Sequence, residues 1–229
     1  DLKMAMYTAM TDRVDQKIGE LLEKIDAMNE LENTLVLFMS DNGGSAEVVR
    51  IPGDGNIGTV GQWTSLGPNW ANVSNTPFRY FKNYSYEGGI CTPMIAHWPK
   101  GFEAKNAISN FSGHFIDIMA TLVDITGAKY PSEFKDQKIV PMQGTSLYPV
   151  LQGKIIEREK PLFWQWRRGK AVRQGSWKIV AEGKEADWEL YNMDQDPTET
   201  NNLAAQHPEI VQQMDQLFRD WLTDCEQWN

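Results

Sequence analysis

Cysteine is scarce: Cys91 and Cys225 are the only two in 229 residues. Two sulfurs so far apart in sequence exclude a disulfide framework and a zinc cluster, and they leave the redox compartment open. No apolar run approaches the roughly 18 residues that a membrane span needs, and no signal peptide opens the chain. Positive charge is short as well. Lys and Arg number 22 against 31 Asp and Glu, a formal net charge of −9. That balance argues against nucleic acid as a partner, because phosphate binding needs clustered Lys and Arg. An anionic substrate would meet an opposing field, so a metal ion or a placed lysine would have to supply local positive charge. Internal repeats and low-complexity tracts are also missing.

What is present is an ordinary globular balance, 41% hydrophobic and 23% charged, with nine tryptophans. The length suits one domain, or a large domain with a smaller companion. The first residues, "DLKMAMYTAMTDRVDQ", already carry a helical pattern. We therefore expect a fragment whose upstream part lies outside this chain.

Met10, Val14, Ile18, Leu21, Leu22 and Ile25 recur at helical spacing, which predicts an amphipathic helix over about 5–29. The apolar run Leu35–Met39 suits a strand buried on both faces, as in a parallel sheet. Helix followed by buried strand is the rhythm of an α/β layer fold. Residues 43–77 are rich in Gly, Asn, Trp and Pro without a clear period. They read as a long functional loop in which Trp63 and Trp70 would be costly to leave in water. A second strand is expected over 92–99, and Phe115, Ile118, Met119 and Leu122 mark a helix that stops at Gly127. After about residue 140 the pattern changes. Short runs at 161–166, 170–181 and 188–193 predict an antiparallel sheet. A last helix starts near Pro208 and presents Ile210, Met214, Leu217, Phe218 and Trp221.

Two motifs carry chemistry. In "LVLFMSDNGG" (35–44) a greasy run ends in Asp41, Asn42 and two glycines. Asn-Gly suits a tight hairpin turn, but no partner strand follows at once. The alternative is a strand end where α/β folds place ligand groups. Asp41 and Asn42 both offer hard oxygens suited to Ca²⁺ or Mg²⁺. The second motif is "NTPFRYFKNYSYEGGICTPMIAHWPKG" (75–101), with Lys82 five residues before Glu87-Gly88-Gly89. Taken alone, Lys82 is a solvated surface charge and the glycines mark a turn or a close backbone approach.

Together, in this order, the two motifs resemble the sulfatase family within the alkaline-phosphatase-like superfamily, closest to its arylsulfatase-type branch. The tail resembles it too, in "HFIDIMATLVDITGAKYP", "QGTSLYPVLQG" and "AVRQGSWKIV…WELYNMDQDPTETNNLA". The resemblance implies an α/β fold: the later part of an alkaline-phosphatase-like α/β sandwich (1–139) plus a small C-terminal antiparallel β-sheet with a helix (140–229). It implies a sulfuric ester hydrolase acting on sulfate monoesters of aryl or carbohydrate alcohols. It implies that Asp41 and Asn42 ligate Ca²⁺ and that Lys82 contacts the sulfate and the leaving oxygen. The family's nucleophile, a formylglycine made from Cys or Ser in a C/S-x-P-x-R sequence, is not visible here. It is expected in the N-terminal half of the same protein, which becomes this chain's partner, in a periplasmic or extracellular setting. The rival readings are a phosphatase or phosphonate hydrolase of the same superfamily, and a non-catalytic carbohydrate- or partner-binding module.

Several residues invite a functional reading that the default outweighs. "CTPMI" (91–95) carries Ile95 where the nucleophile motif needs Arg, so Cys91 reads as a small strand residue. His97 and His114 read as packing residues, and Arg173 as half of a structural ion pair. Trp164 and Trp166 offer a stacking wall for a ring, with core packing as the default. Asn72, Asn83 and Asn110 begin N-x-S sequons, which arise often by chance, and a glycan on Asn83 would crowd Lys82.

Overall fold

The computed structural model describes residues 2–103 and 105–228. It opens with helix α1 (Leu2–Ala27), followed by a single 3₁₀ turn (Leu31–Asn33) and strand β1 (Val36–Met39). Helix α1 buries none of its residues, and Met10, Val14 and Leu21 stand exposed. The predicted apolar stripe is thus real and only partly covered: Ile18, Leu22 and Ile25 are half-buried, and the other three stand open.

Strand β1 pairs with β2 (Met94–His97) in antiparallel register, from Val36↔His97 to Met39↔Met94. The expected parallel, doubly buried strand is therefore corrected. Phe38 and Ile95, which are partners across the pair, are both exposed. A continuous apolar run predicts only that both faces want cover; it does not dictate strand direction. His97 lies exposed at the end of β2 rather than packed. Cys91 precedes β2, capping the one-turn helix α3 (Glu87–Ile90), and so is not a strand residue.

Residues 43–77 are mostly irregular but include helix α2 (Pro68–Ser74), with Pro68 in its first turn. Trp70 is half-buried, whereas Trp63 is 54% exposed, against expectation. Helix α4 (Ile116–Thr126) ends where predicted, at Gly127, whose φ of 65° is the left-handed conformation that closes helices. Its buried face is not the apolar one. Asp117, Ala120 and Thr121 point inward while Phe115, Met119 and Leu122 stay exposed. A minimal hairpin, β3 (Glu133–Phe134) with β4 (Gln137–Lys138), and the short helix α5 (Tyr148–Leu151) follow.

The C-terminal sheet is a meander, β5 (Leu162–Trp166), β6 (Gly169–Gln174), β7 (Trp177–Glu182) and β8 (Glu189–Asn192), all antiparallel. Side chains alternate across it, and both faces are covered. On one face Val172, Ile179 and Leu190 meet Met214 and Phe218 of helix α6 (Pro208–Glu226). Phe163 stacks on Trp221 there, with centroids 5.1 Å apart. Burying Met214 and Phe218 contributes roughly 1.5–3 kcal/mol each. On the other face Ala171, Val180, Tyr191 and Met193 pack on Tyr86, so the segment that precedes Glu87-Gly88-Gly89 is itself the second cover.

Candidate functional site

The two motifs meet backbone to backbone. Gly43 N–H donates to Gly89 C=O at 3.0 Å, and Lys82 N–H donates to Gly44 C=O at 3.0 Å. Asn75 bridges both loops: its Oδ1 accepts from Gly44 N–H at 2.8 Å and its Nδ2 donates to Tyr80 C=O at 3.1 Å. The glycines are required by this approach. A Cβ on Gly43 would lie 1.8 Å from Gly88 O, one on Gly88 2.1 Å from Arg79 O, and one on Gly89 2.0 Å from Tyr84 O. The paired glycines therefore let two loops share one layer of backbone.

Asp41 stands exposed and Asn42 half-buried at the end of β1. Ser40 Oγ donates to Asn42 C=O and Asn42 Nδ2 to Gly43 C=O, both at 2.9 Å, which shapes the turn. A shallow hollow beside them is lined by Phe38, Met39, Ser40, Asp41, Pro93 and Ile95. A carboxylate and an amide oxygen at a solvent-facing strand end fit a hard cation such as Ca²⁺. Ca²⁺ takes 6–8 oxygens, and the described residues hold no group of three or more His, Cys, Asp or Glu that could bind a metal. A Ca²⁺ held there would need further oxygens from outside the described residues.

Lys82 is half-buried, and its Nζ lies 3.5 Å from Glu47 Oε2. Lys82 holds the Glu47 carboxyl below its ordinary range. Both side chains are more than a third open to water, so the pair orients the ammonium more than it stabilises the fold. Glu47 was not marked by any sequence signal, since it sits in an aperiodic loop. The next residue, Asn83, has a φ of 82° and accepts a hydrogen bond at 3.0 Å from Trp166 Nε1. Trp166 is therefore neither core nor free, whereas Trp164 joins the core beneath Tyr86.

Behind Lys82, a buried ionic cluster fastens the loop to the C-terminal sheet. Lys178 of β7 is fully buried, 2.7 Å from Glu87 Oε1 and 2.7 Å from Glu199 Oε1. Glu199 Oε2 also accepts from Glu87 N–H at 2.7 Å. Burial opposes ionisation of Glu87, but the Lys178 ammonium outweighs it and holds that carboxyl below the usual range. Burial wins at Glu199, aided by the Glu87 charge, and pushes its carboxyl up despite Lys178. One lysine thus serves two carboxylates unequally. Alongside, Glu189 accepts from Tyr86 Oη at 2.7 Å and from Tyr191 Oη, and Arg79 bonds Tyr191 and the Glu199 carbonyl. Burial raises the Tyr86 hydroxyl well above its ordinary value, so it remains a donor.

A second hub lies at Asp117, which is fully buried. It accepts from His114 N–H and Thr145 N–H, each at 2.8 Å, and pairs with Arg158. His114 packs edge-on against Trp164 at 5.4 Å, and burial lowers its pKa, as a packing residue requires. Arg173 acts on the Glu87 carboxylate through its charge, without a contact within 4.0 Å. It makes no ion pair among the described residues, and its Nε donates to Gly175 C=O at 3.4 Å.

A strand-end oxygen pair and a lysine loop, locked together through glycines and pinned to an antiparallel sheet-and-helix cap, define a mixed α/β layer protein with its polar loops gathered at one edge. Its family follows from comparison. Residues 3–128 match the Sulfatase family model, and residues 77–224 match the N-sulphoglucosamine sulphohydrolase C-terminal model. The chain belongs to the sulfatase family. An uncharacterized sulfatase of Schizosaccharomyces pombe is 30% identical over 239 residues, covering 96% of this chain and 42% of its own length. An N-acetylgalactosamine-6-O-sulfatase of Bacteroides thetaiotaomicron is 26% identical over 223 residues, covering 90% of this chain and 40% of its own. The solved structure of Ps i-CgsB in complex with k-i-k-neocarrahexaose shares the fold, with a TM-score of 0.70 at 24% identity over 95% of this chain and 43% of that one. The chain thus spans about two fifths of the length of these relatives.

Proposed function

We propose that this chain is the C-terminal portion of a sulfuric ester hydrolase acting on sulfate monoesters of aryl or carbohydrate alcohols. The carrying observation is the backbone lock that brings the Asp41–Asn42 turn and the Lys82 loop to one edge. Sulfate ester cleavage expels an alkoxide or phenoxide, so it needs positive charge on the transferred group and on the leaving oxygen. In our reading, Asp41 and Asn42 contribute oxygens to a Ca²⁺, which when bound supplies the first charge. Lys82, oriented by Glu47, holds the sulfate and gives the leaving oxygen a hydrogen bond or a proton. The formylglycine nucleophile and the remaining ligands would come from the N-terminal half, in a periplasmic or extracellular protein. No helix among the described residues is long and apolar enough to cross a membrane. We keep the division at 1–139 and 140–229 as part of this proposal. The exposed apolar residues Met10, Val14 and Leu21 of α1 and Phe38 and Ile95 of the β1–β2 pair support an N-terminal half as the partner.

The test uses the full-length protein. Lys82→Ala is expected to lower aryl sulfate hydrolysis roughly a hundredfold. Asp41→Ala is expected to weaken Ca²⁺ binding, read by calorimetric titration, while leaving the fold intact. Unchanged Ca²⁺ affinity and an unchanged rate would favour a binding module in which Asp41–Asn42 is only a turn. Faster turnover of a matched aryl phosphate than of the sulfate would favour the phosphatase reading. The 229-residue chain by itself is expected to be inactive on aryl sulfates; turnover comparable to the full-length enzyme would overturn the fragment reading.

A further inference from the structure

We propose that the tip of the β5–β6 hairpin is a subsite that seats a neighbouring sugar of an anionic glycan beside Lys82. Trp166 is 56% exposed. An exposed tryptophan alone needs no explanation. This one, however, is held in place: its Nε1–H donates to Asn83 Oδ1 at 3.0 Å. That bond uses the indole's only polar atom and places its ring beside the residue after Lys82. What the ring still offers is apolar surface, the kind on which the C–H face of a pyranose stacks.

The charge beside it is of the matching sign. Trp166 pairs with Gly169, so Arg167 and Arg168 form the two-residue turn of the hairpin. Arg167 takes a φ of 54°, and its guanidinium carbon lies 5.6 Å from the Trp166 centroid, which makes cation and ring one surface. Gly183 N–H donates to Arg168 C=O at 3.1 Å, tying the turn to the end of β7. Neither arginine has a carboxylate partner within 4.0 Å among the described residues, and both are exposed. In a chain of net charge −9, two adjacent unpaired guanidinium groups beside a fixed indole favour a ligand with a sulfate or carboxylate next to a sugar face.

This inference rests on the sulfate ester reading for its substrate class, and its test separates the two. Full-length protein is titrated calorimetrically with sulfated glucosaminoglycan, galactosaminoglycan and galactan tetrasaccharides, and with their desulfated forms. The wild type is expected to bind at least one sulfated tetrasaccharide. Trp166→Ala should weaken that binding roughly tenfold and Trp166→Phe much less, because a phenyl ring still stacks. The double variant Arg167→Gln with Arg168→Gln should weaken the sulfated ligand and spare the desulfated one. No binding by the wild type, or equal binding by Trp166→Ala, overturns the subsite. If Trp166-dependent binding persists in a protein that hydrolyses no sulfate ester, the catalytic reading falls and the subsite stands as a glycan-binding site.

Discussion

Gly43→Ala is expected to unfold the chain at a markedly lower temperature than the wild type. The added methyl would sit 1.8 Å from Gly88 O, a backbone atom fixed within the buried Glu87-Gly88-Gly89 turn. Flexible side chains yield to overpacking; two main chains hydrogen-bonded to each other do not. Either the loops separate, losing the Gly43–Gly89 and Lys82–Gly44 bonds, or the strain remains. A cost of about 3 kcal/mol or more follows. At roughly 2–4 °C per kcal/mol for a chain of this size, calorimetry should show a midpoint lower by about 6–12 °C. Gly88→Ala should behave alike, being 2.1 Å from Arg79 O and 2.4 Å from Tyr80 O. Gly19→Ala is the control. Nothing lies within 4 Å of its added methyl, and a helix interior gains about 1 kcal/mol from alanine. Equal midpoints for Gly43→Ala and the wild type would mean that the loops do not approach as described.

The second large effect belongs to Lys178. In Lys178→Met, Glu87 and Glu199 would face each other without a cation, at a site where neither side chain is more than 8% exposed. Removing one partner of a buried ionic cluster costs about 3–5 kcal/mol. The pH dependence carries the sign of each group. In the wild type, Glu87 has a lowered pKa, so its contribution is present above the ordinary carboxylate value and is lost as pH falls through the folded one. Glu199 has a raised pKa, so it favours the folded state at low pH and loses that contribution as pH rises through its folded value. The two oppose each other, and the wild-type profile around the carboxylate range should be shallow. Without Lys178 both carboxyls favour their neutral forms. The variant should therefore be least stable at neutral pH and recover on acidification, read by denaturant unfolding across pH. The triple variant Lys178→Met, Glu87→Gln, Glu199→Gln should be more stable at neutral pH than Lys178→Met alone. A deficit independent of pH would show that lost packing, not charge, is the cause.

Much of the secondary structure could be read from the residues. Three short runs marked the C-terminal sheet, although the run 170–181 is two strands turned at Gly175 (φ 56°); Pro208 opened the last helix, and Gly127 closed α4. The pairing of β1 was not legible, because an apolar run says how greasy a strand's surroundings are and nothing of its partner's direction. The buried charges were hidden for a different reason. A lysine in a strand is assumed to face water, and Lys178 does alternate with its neighbours. The face it occupies is closed by a segment some ninety residues earlier (its partner is Glu87), which no local pattern reveals. Asp117 was equally hidden, since an acid in the first turn of a helix reads as a favourable charge near the dipole rather than as a hub for three segments. Of the candidate site, the residue types were visible in "SDNGG" and "EGG". Glu47 and Trp166 were not assigned to it, because each reaches Lys82 or Asn83 only through the folded path of its loop.

Because Glu87 and Tyr86 serve as the floor of the C-terminal sheet, that sheet is not an interchangeable module. A chimera that borrowed residues 140–229 from a relative would bring a new β7 and β8 to an old turn. The graft should succeed only where the donor's equivalents of Lys178, Glu189 and Glu199 travel with matching residues at 86 and 87. Diversity in the tail and the setting of the Lys82 loop are therefore inherited together.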